Sequence, residues 1–102
     1  VAAILEPGVI PVILRRRGVA LPSGAVYVGR GSRWGNKYRI GEDGTREEVI
    51  AKYRADLAAD PARRDRLIEA LAARHPTALA CWCAPEACHA DVLAELLLEA
   101  RS

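Results

Sequence analysis

Phenylalanine and methionine are absent from this 102-residue chain, and lysine occurs only at Lys37 and Lys52, so arginine carries nearly all of the positive charge. That bias, with its surplus of alanine, fits the codon usage of a GC-rich genome and has little functional content. No apolar run approaches the ~20 residues of a membrane-spanning helix. Val1 to Leu5 is too short for the core of a secretory leader, and no cleavage pattern follows it. No membrane partner is expected. Cysteine is confined to Cys81, Cys83 and Cys88, an odd and clustered set unlike the even, dispersed cysteines of a secreted disulfide framework. A reducing cytoplasm is the expected compartment. There is no internal repeat and no low-complexity linker, and the length suits one domain over residues 1–102.

The formal net charge of +2 is too small to indicate nucleic acid by itself. Its distribution says more. Arg15, Arg16, Arg17, Arg30, Arg33, Lys37 and Arg39 crowd the first forty residues, whereas carboxylates, Glu6 apart, begin at Glu42. An anionic partner is therefore expected on the amino-terminal half, although a solvated basic rim would look the same.

Hydrophobic periodicity and turn chemistry predict the order strand, strand, helix, helix, strand, helix. The segment from Val12 to Arg16 reads as a strand near a sheet edge, since Pro11 interrupts the apolar run before it. Leu21-Pro22-Ser23-Gly24 is a turn, and Ala25 to Arg30 reads as a second strand. Lys37 to Ile40 reads as a short extended piece. Thr45 followed by Glu48 is a capping box that opens a helix with Val49, Ile50, Tyr53 and Leu57 on one face. Asp60-Pro61 restarts a helix whose stripe is Leu67, Ile68 and Leu71, and Pro76 ends it. Thr77 to Cys83 reads as a buried strand. After the turn Ala84-Pro85-Glu86-Ala87, a last helix buries Val92, Leu93, Leu96 and Leu97. The expected architecture is α/β: a sheet of about three to four strands with at least one parallel crossover, flanked by about three helices. The loops leaving the carboxyl ends of the second and third strands should then share one sheet edge, where parallel sheets bind ligands.

Those two loops hold the unusual residues. In Cys81-Trp82-Cys83-Ala84-Pro85-Glu86-Ala87-Cys88-His89, strand alternation turns Cys81 and Cys83 to one side and Trp82 to the other, where core packing is its default role. Three sulfurs and an imidazole form a possible zinc set of Cys81, Cys83, Cys88 and His89, although adjacent ligands at 88 and 89 diverge on a helix. Alternatively Cys88, or Cys83, is a reactive thiol: a helix start favours the thiolate, with His89 as proton carrier and Glu86 or Asp91 as the nearby carboxylates. The plainer reading is burial, which suits Cys81 best.

The second segment is Gly29-Arg30-Gly31-Ser32-Arg33-Trp34-Gly35-Asn36. Its glycines permit an anion-binding nest, Ser32 adds a hydroxyl, Arg30 and Arg33 add planar forks for phosphate, and Trp34 offers a face to a base. The spacing is neither a Walker A loop nor a dinucleotide fingerprint, and a tight structural turn has the same composition. His75, before Pro76, reads as a solvent-facing loop residue.

Taken together, Gly29 to Asn36 after Val26-Tyr27-Val28, Arg46-Glu47 opening a helix, and Cys81-Trp82-Cys83-Ala84-Pro85 with Cys88-His89 and Asp91-Val92-Leu93 resemble a small uncharacterised family. It is a domain of unknown function of bacteria and phages, and the likeness runs over about residues 12 to 100. The resemblance implies that Gly29, Arg30, Gly35 and Asn36, and Cys81, Cys83, Cys88 and His89, are shared features. Lys37 departs from it, because the family usually has proline after the asparagine. It implies no activity. The expected function is binding of a phosphorylated ligand, a nucleotide or a nucleic-acid end, at the Gly/Arg loop beside the Cys/His turn. Such a site could belong to an enzyme that modifies nucleotides or bases, with Cys88, His89 or Cys83 as working groups. The alternative is a non-enzymatic protein, zinc-stabilised and binding nucleic acid, or sequestering a nucleotide.

Overall fold

A computed structural model describes residues 10–83 and 86–101. Val1 to Leu5, together with Ala84 and Pro85 of the predicted turn, lies outside the described residues. Six elements follow the expected order: β1 (Val12–Leu14), β2 (Ala25–Tyr27), α1 (Arg46–Ala59), α2 (Pro61–Ala72), β3 (Ala78–Cys81) and α3 (His89–Arg101). The strands are shorter than the sequence suggests, and Lys37 to Ile40 is not a strand.

β3 is the middle strand of the order β1-β3-β2, and both pairings are parallel. Its four residues are all buried, as suits the middle strand flanked on both edges. Val12 and Val26 both align with Leu79, while Ile13 and Tyr27 both align with Ala80. Leu79 and Cys81 belong to the core with Val92, Leu93 and Leu97 of α3. α3 packs on β3 and β1, and α1 and α2 pack on α3 and on each other. α3 therefore lies against one face of the sheet, and α1 and α2 join the same core through it. By alternation the opposite face carries Ile13, Tyr27, Ala78 and Ala80, and no helix among the described residues covers it.

The caps work as their chemistry requires. Thr45 accepts from the Glu48 N–H at 3.2 Å, and the Thr45 N–H donates to the Glu48 carboxylate at 2.8 Å. Asp60 ends α1 and caps α2 by accepting from the Arg63 N–H at 3.1 Å, with Pro61 in the first position. At the start of α3, the Cys88 N–H donates to Asp91 at 3.0 Å, half of the same motif. These joints bring all three helices into one core and set the start of α3 beneath the end of β2.

Candidate functional site

A cleft of about 450 Å³ opens at the carboxyl edge of the sheet. One wall is the start of the glycine loop, Gly29 and Arg30; the other is the cysteine turn with Cys83, Cys88 and His89. Asn36 and Arg46 line it between these walls. The two loops singled out in the sequence thus face each other.

His89 holds the end of β2. The Val28 N–H still pairs with Ala80 O at 3.0 Å, but the Val28 carbonyl is taken by His89 Nε2 at 2.7 Å. A carbonyl can only accept, so Nε2 carries the proton and Nδ1 keeps its lone pair in the neutral ring. Burial, the leading cause, pulls the imidazole below its ordinary pKa, and nearby Arg30 adds to this against the opposing Val28 bond. The ring is only 8% exposed and sits edge-on to Tyr53, with centroids 5.0 Å apart. Among the described residues no buried side-chain nitrogen or oxygen lacks a partner, and His89 makes no second hydrogen bond there. Nδ1 therefore meets solvent, at a residue that lines the cleft.

The cysteines divide into two kinds. Cys81 and Cys88 are buried with their sulfurs 2.9 Å apart. The hydrogen bond to Cys81 and then burial push the Cys88 thiol well up, outweighing the Ala90 N–H at the helix start that favours the anion. Cys83 is half-buried and lies close enough to the Arg46 guanidinium to be the leading cause that raises the arginine's pKa. Arg46, the first residue of α1, also donates to Ala87 O at 2.9 Å and pairs with Glu86 at 3.5 Å. It ties α1 to the cysteine turn.

A family-wide sequence model described as a domain of unknown function, DUF4326, matches residues 12–99. The chain belongs to the DUF4326 family. No curated protein and no solved structure matches it.

In this DUF4326 chain the glycine loop is a pair of tight turns. The Ser32 N–H and hydroxyl both donate to Gly29 O, at 3.1 and 2.6 Å, and the Gly35 N–H donates to Ser32 O at 3.1 Å. Of its three glycines, Gly31 alone has a left-handed φ, +96°. Gly35 is required by close approach, since a Cβ there would lie 2.9 Å from Gly29 O and 3.1 Å from Arg30 Cα. Ser32 thus closes the turn with its own hydroxyl.

Trp34 leaves no face for a base. It is 4% exposed, its Nε1–H donates to Leu67 O of α2 at 2.9 Å, and its own carbonyl accepts from Tyr53 OH at 2.7 Å. Arg33 approaches the same ring, its guanidinium carbon 5.7 Å from the centroid. Asn36 is a buried clamp: its Nδ2 donates to Val49 O at 3.0 Å and its Oδ1 accepts from the Tyr38 N–H at 3.0 Å. Trp82 reverses its expected role. Half of it is exposed, on the open face of the sheet and at the rim of the cleft.

Cys81, Cys83, Cys88 and His89 do not converge as a four-ligand set for zinc: the Nε2 of His89 is turned to Val28 O, and the described residues hold no group of three or more metal-ligating side chains. Glu86 and Asp91, the carboxylates expected beside the thiols, are engaged by Arg46 and by the Cys88 N–H. Sequence reasoning missed Arg46 as a site residue. The capping box marked its place at a helix start, but nothing local marked its reach to residues 83, 86 and 87.

Proposed function

We propose that this domain binds a phosphorylated ligand, a nucleotide or a nucleic-acid end, in the cleft between the glycine loop and the Cys/His turn. The observation that carries this reading is Arg30. It is exposed, lines the cleft, lies close enough to His89 to affect its titration, and makes no ion pair among the described residues. Arg39 and Arg46 line the same cleft, each paired with one carboxylate, Glu42 and Glu86. A guanidinium fork with open hydrogen-bonding capacity, flanked by two further arginines, matches phosphate oxygens in charge and geometry.

The groups suited to chemistry on such a ligand are His89, through a neutral Nδ1, and Cys83, beside the Arg46 cation. Cys88 is unsuited, because its thiol is buried against Cys81 and pushed up.

A thermal-shift screen with nucleoside monophosphates, diphosphates, triphosphates and short oligonucleotides tests the reading. A ligand at 100 times its dissociation constant adds about 2.7 kcal/mol, or on the order of 10 °C for a domain of this size. Arg30→Glu should abolish the shift without lowering the melting temperature of the free protein. If no phosphorylated compound moves the transition, or if Arg30→Glu leaves the shift intact, the reading fails.

A further inference from the structure

Arg15, Tyr27 and Trp82 stand at the carboxyl ends of three parallel strands, so all three lie at the sheet edge that opens into the cleft. They form one continuous surface. The Arg15 guanidinium carbon is 4.8 Å from the Tyr27 ring centroid and 5.7 Å from that of Trp82. The Trp82 Nε1–H donates to Tyr27 OH at 3.0 Å, and Tyr27 OH donates to Arg30 O at 2.8 Å. The chain of contacts thus runs from the open face of the sheet to the backbone of Arg30, at the cleft wall. Trp82 still has 49% of its surface exposed and itself lines the cleft.

An exposed tryptophan held at a fixed angle by a hydrogen bond and a stacked arginine is a rigid platform for a planar group. Its surroundings are cationic. Arg16 and Arg17 continue from Arg15 and are exposed, as is Arg30 at the cleft wall. None of these four arginines is ion-paired among the described residues. Unneutralised arginines beside an exposed aromatic platform are what a single strand of nucleic acid requires: stacking for its unpaired bases and cations along its backbone.

We propose that the ligand is a single-stranded nucleic-acid end rather than a free nucleotide: the terminal phosphorylated nucleotide occupies the cleft, the adjacent base stacks on Trp82, and the backbone follows Arg15, Arg16 and Arg17. This rests on the reading of the cleft as a phosphate-ligand site and names the class of its substrate. A duplex end is disfavoured, because its bases are already stacked and paired and cannot turn onto the platform.

The test compares thymidine monophosphate, a 5′-phosphorylated oligothymidylate of about six nucleotides, its uridylate counterpart and a duplex of the same length. Affinities are measured by isothermal titration calorimetry, and tryptophan fluorescence of the natural protein, in which Trp82 is exposed and Trp34 buried, reports contact with Trp82. The single strand is expected to bind at least tenfold more tightly than the monophosphate and to quench Trp82. Trp82→Ala should remove roughly five- to a hundredfold of that affinity and cost the monophosphate far less, and Trp82→Phe should retain most of the strand affinity with a melting temperature within ~2 °C of the natural protein. The salt dependence should steepen by about 0.7 in log–log slope for each phosphate engaged.

If the monophosphate binds but the strand gains nothing, or if the duplex binds as tightly as the strand, this inference is overturned and the cleft reading stands. If the strand binds through Trp82 but Arg30→Glu has no effect, the platform stands and the cleft reading falls. If neither probe binds, both fall.

Discussion

Replacing each tryptophan by phenylalanine in turn separates the two roles by stability alone. Trp34→Phe removes the indole N–H that donates to Leu67 O at 2.9 Å and the second ring of a side chain only 4% exposed. Leu67 lies inside α2, so its carbonyl keeps its helical partner, and the lost hydrogen bond is worth about 1 kcal/mol. The deleted ring withdraws on the order of 50 Å² of apolar burial, about 1–1.5 kcal/mol. The sum, about 2–2.5 kcal/mol, corresponds to a fall of roughly 8–10 °C in a chain of this length.

Trp82→Phe loses only an exposed hydrogen bond to Tyr27 OH and should stay within about 0.5 kcal/mol, or ~2 °C. Differential scanning calorimetry at neutral pH measures both. The emission of each single-tryptophan protein gives an independent check: Trp34 alone should emit to the blue and resist an aqueous quencher, and Trp82 alone should emit to the red and be quenched. Equal destabilisation by the two substitutions, or emission in the opposite order, would refute the burial argument.

Two further outcomes follow from the site. Below about pH 6.5, where an unfolded histidine takes up a proton, the buried His89 ring resists it, because burial lowers its folded pKa. The unfolded state then binds more protons, so the stability contributed by neutral His89 is full above that pH and is lost as pH falls toward its lower folded value. Melting temperatures at pH 7.5 and 5.5 should differ for the natural protein and differ less for His89→Gln, whose amide can still donate to Val28 O; identical pH dependence would contradict this. Gly35→Ala forces a Cβ against the backbone of Gly29 and Arg30, should cost about 1–3 kcal/mol, and should weaken phosphate binding by displacing Arg30. A melting temperature within 1 °C of the natural protein would show that the turn has room to yield.

Much of this protein is legible in one dimension, because the deciding interactions are short-range. The Thr45–Glu48 box, the Asp60-Pro61 joint and the stripes of α1, α2 and α3 depend on residues at most four apart along the chain, and each forms as its pattern requires. The parallel order followed from helices interposed between strands, and with it the meeting of the glycine loop and the cysteine turn at one edge. The alternation that sets Trp82 against Cys81 and Cys83 is also a local fact. Which side of that alternation would be covered is not. α3 packed on the Cys81 face, with α1 and α2 joined to the core through it, and Trp82 was left in the open with Tyr27 and Arg15. Trp34 was drawn into the core by a carbonyl 33 positions away, and His89 was claimed by one 61 positions away. The elements, their caps and the edge at which the two loops meet could be read from the sequence, because those depend on neighbours along the chain. Which tryptophan is core and which is surface, which thiols are buried against each other and which nitrogen of His89 faces Val28 O came only from the packing, because those depend on helices covering one face of the sheet and not the other.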